Sequence, residues 1–151
     1  MTQATADELL ALAERVEQAT GPDREIDLAI FGALDMPLPE KYADMLVSLA
    51  WNEDQRAFIY QLGDMQVRYE PAPYTASLDA ALSLVPEGHR WLVDKRPFAE
   101  GRSDGYRAQV YREGYYYKSD MSDTPTSWAA SPATALTAAA LRARAHSQEV
   151  K

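Results

Sequence analysis

The residues of this chain best suited to chemistry sit in one stretch. Tyr106–Arg112 and Tyr115–Asp120 are β-prone runs on either side of Glu113-Gly114, which predicts a hairpin with a two-residue turn. In that hairpin Arg112 faces Tyr115, Tyr111 faces Tyr116, Val110 faces Tyr117, Gln109 faces Lys118 and Arg107 faces Asp120. One face then carries Tyr106, Ala108, Val110 and Tyr117 and suits a core. The other carries Arg107, Gln109, Tyr111, Tyr116, Lys118 and Asp120. Two aromatic rings flanked by cations and an amide suit a nucleobase or another planar anion: stacking contributes about 1 to 3 kcal/mol per base, and Arg or Lys pairs with phosphate. The loop Lys95 to Gly105 adds Arg96 and Arg102 around Phe98, a flap able to close over an anion. The competing reading is tyrosines stacked across strands under a helix, with the cations reaching outward.

Catalytic equipment is sparse. The chain has no cysteine and two histidines, His89 in a turn and His146 near the C-terminus, so disulfides, thiolate chemistry and histidine-based metal clusters are not expected. No Walker-type loop or G-x-G-x-x-G occurs. Asp120 and Asp123 could share a divalent cation, but Asp and Ser are ordinary turn residues. The expectation is a protein that is not an enzyme and uses no cofactor.

Charge narrows the partners. The formal charge is -8, which opposes general attraction to nucleic acid or anionic lipid. Residues 89 to 118 depart from this, holding seven Lys/Arg against four acids together with seven of the fifteen aromatics. No apolar run approaches the ~20 residues that span a bilayer, so the expectation is a cytoplasmic protein bound to neither membrane nor nucleic acid.

The elements that would position these residues are legible along the chain. Thr5 and Glu8 form a capping box before Leu9, Leu12, Ala13 and Val16. Gly21-Pro22 ends that helix, and Asp23 caps a second with Ile26, Ala29, Ile30 and Ala33, making a helical hairpin. Pro39 and the spacing of Tyr42, Met45, Leu46 and Leu49 predict another helix. Phe58–Leu62 and Met65–Tyr69, joined by Gly63-Asp64, predict a hairpin with a glycine-first turn. Ser77 caps a helix with Leu78, Ala81, Leu82 and Val85, stopped by Pro86. Arg90–Asp94 predicts a strand, with Trp91 and Trp128 assigned to the core, and Thr126–Ala130 another. Ser131 and Pro132 open a last helix with the stripe Leu136, Ala139, Ala140 and Ala143. Runs of strands with helices segregated around them make a single α+β domain over 1–151, built on an antiparallel sheet.

Three of these segments carry a family likeness. Ala13-Glu14-Arg15-Val16-Glu17-Gln18-Ala19-Thr20-Gly21-Pro22-Asp23-Arg24-Glu25-Ile26-Asp27, Tyr74-Thr75-Ala76-Ser77-Leu78-Asp79-Ala80-Ala81-Leu82-Ser83-Leu84-Val85-Pro86-Glu87-Gly88 and residues 131–145 together resemble the phage ABA sandwich domain family. The resemblance implies a phage or prophage origin and an α-β-α sandwich, and transfers no catalytic residue. Residues 35–73, read as a variable insertion, and the flap after Lys95 depart from it. The leading functional expectation is a non-catalytic accessory protein that sequesters a small anionic ligand, such as a nucleotide signal of host defence, at Arg107, Tyr111, Tyr116, Lys118, Arg96 and Arg102. The alternative is an acidic interaction module that docks on a basic protein through Asp7, Glu8, Glu14, Glu17, Asp23, Glu25 and Asp27. Homo-oligomerisation is left open.

Overall fold

The computed structural model describes residues 4–34, 45–55, 57–95, 105–112 and 126–149. Over these the chain runs α1 (Ala6–Gln18), α2 (Arg24–Ala33), β1 (Leu46–Asn52), β2 (Ala57–Leu62), β3 (Met65–Tyr69), α3 (Leu78–Leu82), β4 (His89–Lys95), β5 (Tyr106–Arg112), β6 (Ser127–Ala129) and α4 (Pro132–Glu149). The class is α+β, as expected. The described strands form two three-stranded antiparallel sheets, ordered β1-β2-β3 and β4-β5-β6, where one sheet was expected.

The helix starts follow their caps. Thr5 Oγ1 accepts from the Glu8 N–H at 3.2 Å while Glu8 Oε2 accepts from the Thr5 N–H at 2.7 Å, and Leu9, Leu12, Ala13 and Val16 are buried. Asp23 Oδ1 caps α2 by accepting from Glu25 and Ile26. The buried side of α2 is Ile26, Asp27, Ile30 and Phe31, while the expected Ala29 and Ala33 pack only partly buried against the core. Phe31 stacks on Phe58 of β2 with centroids 5.2 Å apart, and an aromatic ring buries far more apolar area than an alanine.

α4 is the centre of the molecule, with α1, α3, β4, β5 and β6 all packed on it. Every residue from Ala133 to Leu141 is buried, so the expected one-sided stripe is only part of a helix enclosed all round. Its alanines let neighbours approach closely, and its interior threonines are satisfied: Thr137 Oγ1 donates to the Tyr74 carbonyl at 2.9 Å, and Thr134 bonds to Ser131 at the cap.

Other expectations are corrected. The helix placed around Met45, Leu46 and Leu49 gives way to β1, which pairs with β2 from Asn52↔Ala57 to Leu46↔Leu62 with a register shift between Leu46 and Ser48; residues 35–44 lie outside the described part. Helical spacing over so few residues loses to the backbone ladder with β2, which runs from Asn52↔Ala57 through Leu49↔Tyr60. The Gly63 turn is as expected, with φ +58°, a conformation glycine adopts without a Cβ penalty. α3 is shorter than its apolar pattern: Ala81 and Leu84 are buried while Leu78 is exposed. Trp91 is 43 % exposed rather than in the core, on β4, which ends the described sheet β4-β5-β6.

Candidate functional site

Two of the six expected ligand residues, Arg107 and Tyr111, belong to the described structure; Tyr116, Lys118, Arg96 and Arg102 lie outside it, as do Asp120 and Asp123. Both described residues are on β5; residues 113–120, the turn and second strand of the expected hairpin, lie outside the described part. β5 pairs along its length with β4, from His89↔Arg112 to Lys95↔Tyr106, and its other edge pairs with β6 through Arg107↔Trp128. Arg107 therefore faces Asp94 and Trp128 in place of Asp120. Its guanidinium grips Asp94 with Nε to Oδ1 at 3.0 Å and Nη2 to Oδ2 at 2.7 Å, a bidentate pair that consumes the charge an anion would use. Ala108 and Val110 face the core, as expected. The opposite face carries Arg90, Leu92 and Asp94 beside Tyr111, Gln109 and Arg107. Tyr111 and Gln109 are buried there, and Gln109 Nε2 donates to Thr126 Oγ1 at 3.0 Å. Strand alternation identified the face, but could not show how much of it solvent reaches.

β6 is held by a clamp. Arg142 of α4 forms an ion pair with Glu17 of α1 and donates to Ser127 Oγ at 2.7 Å, while Glu17 Oε2 accepts the Trp128 N–H at 3.1 Å. Glu17 is thus structural and leaves the set of docking acids.

A second polar cluster lies where α2, the segment before α3 and α4 meet. Asp27 is fully buried. Its Oδ1 accepts the Thr75 N–H at 2.8 Å and lies 2.9 Å from Thr75 Oγ1, while Oδ2 takes Arg24 Nη1 at 2.9 Å. Arg24 Nη2 also donates to the Pro71 carbonyl at 2.8 Å, and the Asp23 N–H donates to Thr75 Oγ1 at 2.8 Å. Asp27, counted among the docking acids from sequence, instead locks α2 to the chain ahead of α3. The signal was available: Asp27 adjoins Ile26 on the buried side of an apolar helix, with Arg24 three residues before it to pair.

Beside this lock, burial and then the nearby Asp27 push the Tyr74 phenol above its ordinary 10.0, against an opposing pull from Arg144. Burial lowers the Arg144 guanidinium below its ordinary value, and Tyr74 acts to raise it again. The unfolded chain gives up the Tyr74 proton at lower pH than the folded chain, so this contribution to stability is complete below about 10 and is lost as pH rises through the higher folded value. Stability measured across the alkaline range should fall past pH ~10, and Tyr74→Phe should flatten that fall. An unchanged slope in the variant would place the alkaline sensitivity elsewhere.

The outer surface of the α1–α2 hairpin is different in character. Asp7, Glu8, Glu14 and Glu25 are exposed and Asp23 is half-exposed, with Arg15 the exposed cation beside them. Between the two helices runs an open groove of about 390 Å³ lined by Ala4, Glu8, Ala11, Leu12, Arg15, Gly32 and Ala33. Ala4 and Leu12 make its apolar floor. Among the described residues no three His, Asp or Glu side chains gather as a metal site, and no helix is long and apolar enough to cross a membrane.

Compared with known proteins, the chain matches no family model, no curated sequence and no solved structure at a significant level.

Proposed function

We propose that this protein is a non-catalytic docking module whose α1–α2 surface engages a basic protein partner, with the accessory role in a phage or prophage that its resemblance to ABA sandwich domains implies. One observation carries the reading. Once Asp27 is buried with Arg24 and Glu17 is clamped to Arg142, the remaining acids of the hairpin still point outward, five of them against Arg15. Such a surface speeds encounter with a basic protein and discriminates against acidic ones. The structural acids now separate from the docking acids, so the informative variant is Asp7→Asn/Glu14→Gln/Glu25→Gln, which leaves Asp27, Glu17 and the Thr5–Glu8 cap intact. Association with a lysine-rich protein, followed by stopped flow, should slow steeply as salt rises, and the triple variant should associate about tenfold more slowly at low salt. Salt-independent association, or a triple variant as fast as the parent, would overturn the proposal.

Sequestration of a small anion, a nucleotide among them, is the second reading. Its setting is the sheet face on which Arg90 lies across from Tyr111 with Gln109 next along β5, where Tyr111 and Gln109 are buried. With Arg107 bound to Asp94, it draws its remaining cations from Arg96, Arg102 and Lys118. Calorimetric titration with mono-, di- and cyclic nucleotides separates the two readings.

A further inference from the structure

The face of the β4–β5 pair that carries Ala108 and Val110 also carries an exposed aromatic ring and two basic side chains with no acid to meet. Strand alternation puts His89, Trp91, Val93 and Lys95 of β4 on it, opposite Arg112, Val110, Ala108 and Tyr106 of β5. α4 packs on both strands, and Ala108 and Val110 are buried with Val93 partly so. Toward the His89 end the face opens to solvent: Trp91 is 43 % exposed and Arg112 is exposed.

Leaving an indole in water forgoes apolar burial, and the charges beside it are unbalanced. His89 and Arg112 are directly opposed across the strands, where a sheet gains by setting an acid against a base. Among the described residues neither is in an ion pair, and the Arg112 side chain makes no hydrogen bond. His89 Nδ1 lies 3.2 Å from the Glu87 carbonyl; a carbonyl only accepts, so Nδ1 carries the hydrogen and Nε2 is left over. Glu87, in the turn before β4, is exposed and pairs with neither. Over β4 and β5 the cations are Arg90, Lys95, Arg107 and Arg112, while the one acid, Asp94, is held by Arg107.

We infer that Trp91, Arg112 and His89 form a site for a nucleotide, its planar base stacked on the Trp91 indole and its phosphate paired with the Arg112 guanidinium beside His89. Trp91 and Arg112 are diagonal neighbours on the face, about 7 to 8 Å apart, a gap that the sugar of a nucleoside monophosphate spans. A base alone would leave Arg112 unmatched, and phosphate alone would leave the indole in water; joined in one molecule they satisfy both. The inference rests on the small-anion reading and gives it a site on the face opposite Tyr111 and Arg107, with a guanidinium that no carboxylate already holds.

Calorimetric titration with adenosine monophosphate tests it, with adenosine and inorganic phosphate as the separated halves. The parent should hold the nucleotide on the order of tenfold more tightly than either half. Trp91→Ala should reduce the nucleotide to the level of phosphate, and Arg112→Gln to the level of adenosine. Trp91→Phe keeps a ring and should retain most of the affinity, which separates lost stacking from lost folding. Nucleotide binding that both Trp91→Ala and Arg112→Gln leave unchanged overturns this site while leaving the small-anion reading standing, and phosphate bound as tightly as the nucleotide overturns the stacking. A parent that takes up none of the three overturns the site and that reading together. Self-association of the parent in sedimentation, lost in Trp91→Ala, would assign the exposed indole to a second copy of the chain and overturn the nucleotide.

Discussion

Asp27→Ala is expected to cost the fold about 3 kcal/mol, a large share of the roughly 5 to 15 kcal/mol that holds a domain of this size. The carboxylate is fully buried and is the acceptor for the Thr75 N–H, which lies on a residue only 1 % exposed. Removing it strands that donor in a dry site, at about 1 to 3 kcal/mol. Arg24 also loses its partner, although it is 34 % exposed and recovers some hydration. The Thr75 hydroxyl keeps an outlet, because the Asp23 carbonyl lies 3.2 Å away. Asp27→Asn should cost clearly less, since an amide oxygen can still accept the Thr75 N–H and only the charged pairing with Arg24 is lost. Denaturant midpoints at neutral pH order the three proteins. An Asp27→Ala midpoint equal to the parent's would mean that the lock contributes nothing net.

The other large effect distinguishes a helix buried all round from one buried on a single face. Leu136 and Leu141 are both fully buried on α4, yet five positions of a helix turn them about 140° apart. Leu136 belongs to the stripe the sequence suggested; Leu141 does not. Each truncation to alanine removes buried methyl groups and opens a cavity, at about 2 to 5 kcal/mol. The expected result is comparable losses at the two positions. A near-silent Leu141→Ala would restore the one-sided packing that periodicity alone proposes. Because α4 touches α1, α3, β4, β5 and β6, both variants should lower a single cooperative transition rather than melt one region.

Much of the local structure was legible before any coordinates. Thr5 with Glu8, Asp23, Ser77 and Ser131 each start a helix where their side chains predict, because a cap bonds to an N–H two or three residues away. Gly63 turns the β2–β3 hairpin for an equally local reason: the turn demands a positive φ at that residue. Helical phase was legible wherever one face is apolar, as in α1. It misled around Leu46, where a short apolar run satisfies both periods and only pairing with β2 selects the strand. It understated α4, whose alanines and threonines give no contrast between faces.

What the sequence by itself determined about this protein is where its elements begin and turn, and that it is an acidic α+β chain. The tertiary structure decided which charges remain available. Asp27 meets Thr75 across 48 residues, Glu17 meets Trp128 across 111, and Arg107 meets Asp94 in place of Asp120. Caps and turns act within one turn of chain, so their residues carry the information locally. An acid is free or consumed according to which distant strand or helix packs against it, and that is fixed only when the core around α4 closes.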